Sequence, residues 1–179
     1  MAYRTEWAMI PPHRDAGVAT LPARPLRLRV NGRAVEAPER LADAPLLQVL
    51  RDELGLTAAK RGCGGGAGDC GACTVLVDGR ATASCRITAW EATGRDIVTL
   101  EGLAAEPDNR VLEAFAAEGA LGCGDCWPGI VMAASALLAD HWRPSDAEID
   151  KAMDAISCRC GALPVVRRAI RRAAGFPPA

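Results

Sequence analysis

The chain has 179 residues, half of them apolar, with a formal charge of -1 and a pI near 6.1. That length allows one compact domain or two small ones with a packed core, and the charge supplies no general basic field to draw in nucleic acid or an anionic membrane. No stretch approaches the roughly 18 consecutive apolar residues of a membrane span, and the opening MAYRTEWAMIPPHRDAGVATLPARP has neither a signal-like apolar run nor a twin arginine, so the expectation is a soluble, cytoplasmic protein whose residues 1–25 form an irregular, proline-rich arm.

In chain order, Leu26, Leu28 and Val30 alternate with arginines, Asn31-Gly32 is the pair favoured in a type I′ hairpin turn, and residues 34–37 return as the partner strand. The segment DAPLLQVLRDELG then predicts a helix, with Asp43 as cap, Pro45 in the first turn, Leu46, Leu47, Leu50 and Leu54 on one face and Gly55 at its end. A cysteine- and glycine-rich loop, CGGGAGDCGAC, follows. TVLVDG predicts a strand and an Asp78-Gly79 turn, residues 80–85 run back to Cys85, and DIVTL supplies a last strand over 96–100. Hairpin, helix, loop and strands in this order predict a β-grasp domain over residues 26–103.

Past the AAEPDN segment the apolar period changes. Val111, Leu112 and Phe115, then Ile130, Val131, Ala134, Leu137 and Leu138, then Ile149, Met153 and Ile156, then Val165, Val166, Ala169 and Ile170 recur at helical spacing. Four amphipathic helices over residues 107–175 predict a bundle. Ser145 and Glu148 form a capping box before the third, and Gly175 with Pro177 closes the fourth. The fold class is therefore α+β.

The eight cysteines fall into two quartets with none left over: Cys63, Cys70, Cys73 and Cys85, then Cys123, Cys126, Cys158 and Cys160. In a reducing compartment eight cysteines argue for metal rather than for a disulfide framework. A cluster of two irons and two sulfides held by four thiolates is a compact dianion, and the loop around it must curl tightly and turn amide N–H groups towards sulfur. Glycine permits both. In the bundle, Cys126 lies two residues before Pro128 and Cys160 four residues before Pro164, each at the start of a helix, so two helix N-termini are expected to face the second anionic group. Structural zinc is the competing reading for either quartet. A disulfide between Cys158 and Cys160, two positions apart, would be strained.

Other groups compete weakly for a role. His13 and His141 have no ligand spacing and are read as surface or core residues. Arg167, Arg168, Arg171 and Arg172 make one basic helix face, read as solvated or as a dock for an acidic partner. Trp127, next to Cys126, is read either as core or as a shield over a neighbouring cofactor. With the cysteines committed, no nucleophile, P-loop or dinucleotide-binding glycine pattern remains, so substrate chemistry is expected in a partner.

The segments RVNGRAVEAP, PLLQVLRDELGLTAAKRGC, CGACTVLVDGRATASC, IVTLEGLA, CGDCWPGIVM and CRCGALPVVRRAI together resemble the small iron-sulfur subunit of the molybdenum hydroxylases. That family includes xanthine dehydrogenase, aldehyde oxidoreductase, carbon monoxide dehydrogenase and the isoquinoline and nicotinate dehydrogenases. The likeness runs from about residue 26 to 175, and the eleven residues between Cys73 and Cys85 and thirty-one between Cys126 and Cys158 match the family spacing. The resemblance implies a plant-ferredoxin-like domain binding one 2Fe-2S cluster through Cys63, Cys70, Cys73 and Cys85, and a four-helix-bundle domain binding a second through Cys123, Cys126, Cys158 and Cys160. It further implies a large subunit with a molybdenum-pterin cofactor, and a flavin (FAD), a cytochrome haem or another acceptor for the electrons. A stand-alone ferredoxin-like carrier and a zinc-stabilised interaction module are the alternatives.

Three features depart from the family pattern. Cys63 and Cys70 enclose six residues, against the C-x4-C spacing of plant-type ferredoxins, and the extra residues are expected to bulge outward. Gly122 stands where a glutamine that touches the pterin is usual. Trp127 and Leu163 occupy positions where threonine and tyrosine are common.

Overall fold

A computed structural model describes residues 25–64, 69–119 and 123–177; the arm expected over 1–25 falls almost wholly outside them, as do His13 and Gly122. The first hairpin forms as its sequence dictates. Strand β1 (Leu26–Val30) buries every second residue and pairs antiparallel with β2 (Arg33–Ala37). Asn31 and Gly32 both take positive φ, 51° and 74°, the geometry of a type I′ turn.

Helix α1 starts at Leu46 and runs to Gln48, then widens into a π-type turn over Val49–Glu53, after which Gly55 ends it at φ 68°. Asp43 does not cap it, contrary to the sequence expectation. The N-cap is Pro45, and the first amides find backbone instead: Leu46 N–H donates to Ile87 O at 2.8 Å and Leu47 N–H to Ser84 O at 3.0 Å. Tertiary carbonyls thus satisfy the orphan donors that a capping side chain would otherwise take.

Strands β3 (Thr74–Val77), β4 (Arg80–Ala83) and β5 (Asp96–Val98) complete a mixed five-stranded sheet of order β2-β1-β5-β3-β4, in which only β1 and β5 run parallel. The last strand stops short of the predicted residue 100. Thr99 leaves the ladder because Asn31 takes it: Thr99 N–H donates to Asn31 Oδ1 at 2.9 Å and Asn31 Nδ2 donates to Thr99 Oγ1 at 3.0 Å. Thr99 then N-caps a short helix that the sequence pattern did not reveal, α2 (Leu100–Ala104).

The two faces of the sheet meet different helices. Leu28, Val30, Val75, Val77 and Ile97 pack with Leu46, Leu47, Val49 and Leu50 of α1 in one core. Alternate residues Leu76 and Val98 pack instead into a second core with Phe115, Ile130, Met132, Ile149 and Ile170, the period-2 division of a strand covered on both sides.

The four helical stretches expected after residue 107 are present as α3 (Arg110–Ala117), α4 (Trp127–Asp140), α5 (Asp146–Met153) and α6 (Leu163–Ala173). Asn109 caps α3 by accepting Leu112 N–H at 3.2 Å. The Ser145–Glu148 capping box forms in full, with the Ser145 hydroxyl, amide and Glu148 carboxylate all engaged. Ser145→Ala is expected to lower Tm by roughly 2–4 °C in thermal unfolding. At the other end, Gly175 at φ 73° closes α6 with Gly175 N–H on Arg172 O and Phe176 N–H on Arg171 O, both at 3.0 Å, the paired bonds of a Schellman motif. Among the described residues no helix is long and apolar enough to cross a membrane.

The basic face of α6 is not a free surface. Arg167 pairs with Asp150, Arg171 with Asp146, and Arg168 and Arg172 both reach Glu118. Three acids of this chain thus serve four arginines, which stay 36–55 % exposed, in keeping with the solvated reading. These charges tie α6 to α5 and to the end of α3.

Candidate metal centres

Strand pairing assembles half of the first quartet. The β3–β4 ladder sets Thr74 opposite Ala83, which leaves Cys73 and Cys85 at the same end of the hairpin, the spacing of eleven being the length of two short strands and a turn. Ser84 fastens that end, its Oγ donating to Cys73 O at 2.7 Å and its N–H at 3.3 Å. Cys73 and Cys85 are buried, whereas Cys63 and Cys70, on the loop, are half-buried. Burial pushes the Cys85 thiol up to about 12, helped by a hydrogen bond with Cys73 and by the charges of Cys73, Cys63 and Cys70. All four predicted thiols therefore act on one another.

Gly62 stands against this quartet. A Cβ there would lie 2.9 Å from Cys70 Sγ and 3.0 Å from the Ala72 side chain, so any larger residue would press on a sulfur.

The second quartet is gathered by helix ends. Cys126 is the N-cap residue of α4, with Pro128 in the first turn, as the sequence indicated. Cys158 and Cys160 lie in the turn between α5 and α6. Burial pushes the Cys126 thiol up to about 12, with the hydrogen bond and charge of Cys158 and the charge of Cys123 adding to it. Cys160 is raised as well: the Cys123 amide pulls it down, but the Cys123 thiol and its charge outweigh that. Cys158 moves the other way. Burial would raise it, yet the amides of Ala162 and Cys160 and the thiols of Cys126 and Cys160 hold it below the ordinary thiol range.

The start of α6 faces this quartet, as the expectation of a second helix N-terminus had it. Ala162 is the N-cap of α6, and its amide serves Cys158, not Cys160. The start of α6 does address the quartet, but through the cysteine four residues before it, because the chain turns through Gly161 at φ 66° before the helix begins.

The sulfur contacts of the second set run Cys126 to Cys158 to Cys160 to Cys123. Among the described residues no three His, Cys, Asp or Glu side chains close on one point as a single metal ion requires. All eight cysteines are described residues and none forms a disulfide.

Both quartets border one cavity of about 530 Å³, lined by Cys63 and Cys70 from one side and Cys123, Cys126 and Cys160 from the other. Cys123 and Cys160 are exposed. A larger cavity of about 690 Å³ lies between the Asn31 turn and α2, and its lining contains no cysteine.

Two glycines set this proximity, Gly71 of the cysteine loop and Gly129, to which the sequence pattern assigned no role. A Cβ on Gly129, in the first turn of α4, would overlap Gly71 O, and one on Gly71, at φ 65°, would lie 2.5 Å from Ala155 O. Alongside, Ser157 N–H donates to Cys70 O at 3.0 Å. The only signal in the chain was a glycine one residue from a cysteine and another one residue from a proline, with nothing to say that they meet.

The remaining singled-out residues take structural places. Trp127 packs edge-on against Phe115, centroids 5.2 Å apart at 64°, within the second core, which supports the core reading over the shield. His141 sits at the surface, 3.5 Å from Glu148 of the capping box. Leu163 is partly exposed, at 42 %. Of the six residues between Cys63 and Cys70, residues 65–68 lie outside the described residues, and the expected outward bulge lies there with them.

Residues 28–104 match the family described as a 2Fe-2S iron-sulfur cluster binding domain, and residues 99–171 match the one described as a 2Fe-2S binding domain. The two matches overlap on Thr99 and α2. The chain is 46 % identical over 150 residues to one of the subunits of the nicotinate dehydrogenase of Pseudomonas putida, covering 83 % of this chain and 94 % of that one. It is 42 % identical over 145 residues to the alpha subunit of isoquinoline 1-oxidoreductase of Brevundimonas diminuta, covering 81 % and 94 %. Its fold superposes on a chain of the crystal structure of quinoline 2-oxidoreductase from Pseudomonas putida 86 with a TM-score of 0.75 at 33 % identity, covering 86 % of this chain and 94 % of that chain.

Proposed function

The chain belongs to the family of small 2Fe-2S iron-sulfur subunits of the molybdenum hydroxylases, and from that membership we propose that it is the electron-transfer subunit of such an enzyme, with Cys63, Cys70, Cys73 and Cys85 holding one cluster and Cys123, Cys126, Cys158 and Cys160 the other. The first set belongs to a ferredoxin-like domain over 26–103 and the second to a four-helix-bundle domain over 107–175. When bound, the clusters supply one-electron redox chemistry, linking a molybdenum-pterin site that oxidises an aldehyde, purine or N-heterocycle in a large subunit to a flavin, cytochrome or other acceptor.

The observation that carries this reading is the convergence of each quartet from separate elements: a loop and a hairpin end for one, a helix N-cap and an interhelical turn for the other. The donor set fits, since eight thiols in two sets of four supply both groups and leave no cysteine over. The chain's own residues do the rest. Cys73 and Cys85 keep water from one side of the first set by their burial. The Ala162 amide stabilises negative charge on Cys158. The raised Cys85 and Cys126 thiols must release protons to bind metal, which couples assembly to pH and to folding. The exposed Cys123 and Cys160 give the second set an edge at the surface for a large partner to cover. Eight cysteines without a disulfide favour the cytoplasm.

The test is metal and sulfide analysis of the complex purified without oxygen, with electron paramagnetic resonance after dithionite reduction. Equal iron and acid-labile sulfide and two distinct 2Fe-2S signals are expected. Zinc in place of iron in colourless material would reject the reading.

A further inference from the structure

Cys63 is flanked by Gly62 and Gly64, so the loop has little stiffness of its own with which to place that sulfur. The segment just before it, residues 57–60, is instead gripped from both sides. Its carbonyls face cations. Arg51 Nη1 donates to Thr57 O and to Ala59 O, each at 2.6 Å, and Lys60 Nζ donates to Thr57 O at 2.8 Å and to Ala58 O at 3.0 Å. Its amides face acceptors. Ala58 N–H donates to Glu101 Oε1 at 2.8 Å, and Lys60 N–H to Ala72 O at 2.9 Å, next to Cys73.

Lys60 belongs to the segment itself, whereas Arg51, Glu101 and Ala72 reach it from outside. Arg51 leaves the wide turn of α1, and Glu101 the first turn of α2. Burial would raise the Glu101 carboxyl, but the Ala58 amide leads the contacts that hold it below the usual carboxylate range, with the Lys60 charge contributing. Glu101 is thus an anion between the segment's amide and the segment's lysine. Charge-assisted bonds of this kind are about twice as strong as neutral ones, and six of them or their backbone equivalents fall on four consecutive residues. That density is unlike a surface loop, whose backbone ordinarily goes to water.

We propose that Arg51, supported by Lys60 and Glu101, is a positioning residue for the first cluster: by locking residues 57–60 it sets where the Cys63 thiol meets Cys70, Cys73 and Cys85. The inference rests on the reading of that quartet as a 2Fe-2S ligand set. Arg51 acts through the backbone that leads to Cys63. Both bonds leave one nitrogen, Nη1, which the planar guanidinium holds in place; a lysine at the same position has donors enough for both carbonyls but carries them on a shorter stem without that fixed plane.

The experiment compares Arg51→Gln and Arg51→Lys in the intact complex, reading the g-values and midpoint potential of each 2Fe-2S signal, with the two signals assigned by the Cys126→Ser complex. Both variants are expected to broaden or shift the first cluster's signal and move its potential, leaving the second cluster's signal as an unchanged internal reference. Unchanged spectra and potentials in both variants overturn the proposal, and the change is expected to be larger in Arg51→Gln than in Arg51→Lys, whose ammonium keeps donors for the two carbonyls. If the Arg51 variants do not assemble, Lys60→Met, which keeps the stem and deletes two bonds, must show the same selective change or the proposal fails. Absence of 2Fe-2S signals in the wild-type complex would instead reject the underlying reading, so the two failures are distinguishable.

Discussion

Replacing Cys126 by serine is expected to halve the iron bound per chain, delete one of two 2Fe-2S signals, and stop electron flow through the complex. Cys126 is buried at 8 % exposure and lies at the N-cap of α4, beside Cys158 in the string of thiols. Loss of outer-shell support for a metal centre costs about 10- to 100-fold, so loss of a direct ligand is expected to lower turnover by more than about 100-fold. Substrate-to-acceptor rates in the purified complex measure this, and an intact first signal shows that the chain has not simply unfolded. Undiminished rates would contradict the assignment of the second quartet. The hydroxyl also enters the second hydrophobic core, where Cys126 packs, so some loss of thermal stability should accompany the loss of iron.

Gly129→Ala is expected to destabilise the protein although alanine is the better helix former. The helical gain is about 1 kcal/mol. Against it, the new Cβ would overlap Gly71 O, and the atom in the way is backbone, which cannot rotate aside. Overpacking costs about 1–3 kcal/mol and occasionally more, and an overlap with a main-chain carbonyl belongs at or above the top of that range. A net loss of about 2 kcal/mol or more corresponds to a fall in Tm of roughly 4–8 °C for a chain of this size. Because Gly71 sits between Cys70 and Ala72, the strain is also delivered to the first quartet, and the g-values of its signal should move. A raised Tm would show that α4 and the cysteine loop do not approach as closely as the structure places them.

Much of the fold was legible from local chemistry. The Asn31-Gly32 and Asp78-Gly79 turns, the alternation of β1, the Ser145–Glu148 box and the Gly175 stop are each decided within a few residues, and each forms. The errors share one cause. Neighbouring residues alone make Asp43 a reasonable cap for α1 and make 99 and 100 a reasonable end to a strand. Carbonyls of Ser84 and Ile87 displaced the first, and the Asn31 side chain displaced the second. The acids that pair with the arginine face of α6, Glu118, Asp146 and Asp150, likewise come from other elements and could not be matched to it from spacing.

The chemistry available to this protein was readable before any folding: eight thiols in two sets, the glycines that let a chain wrap closely around sulfur, and helix starts beside two members of the second set. Those depend on residue identity and short spacing, which a chain carries whether folded or not. Packing in three dimensions was needed to bring Gly71 against Gly129, to set both quartets on one cavity, and to bring Glu101 onto residues 57–60. Such contacts join positions far apart in the chain, and their energy is gained only after separate elements have packed, so no local pattern records them.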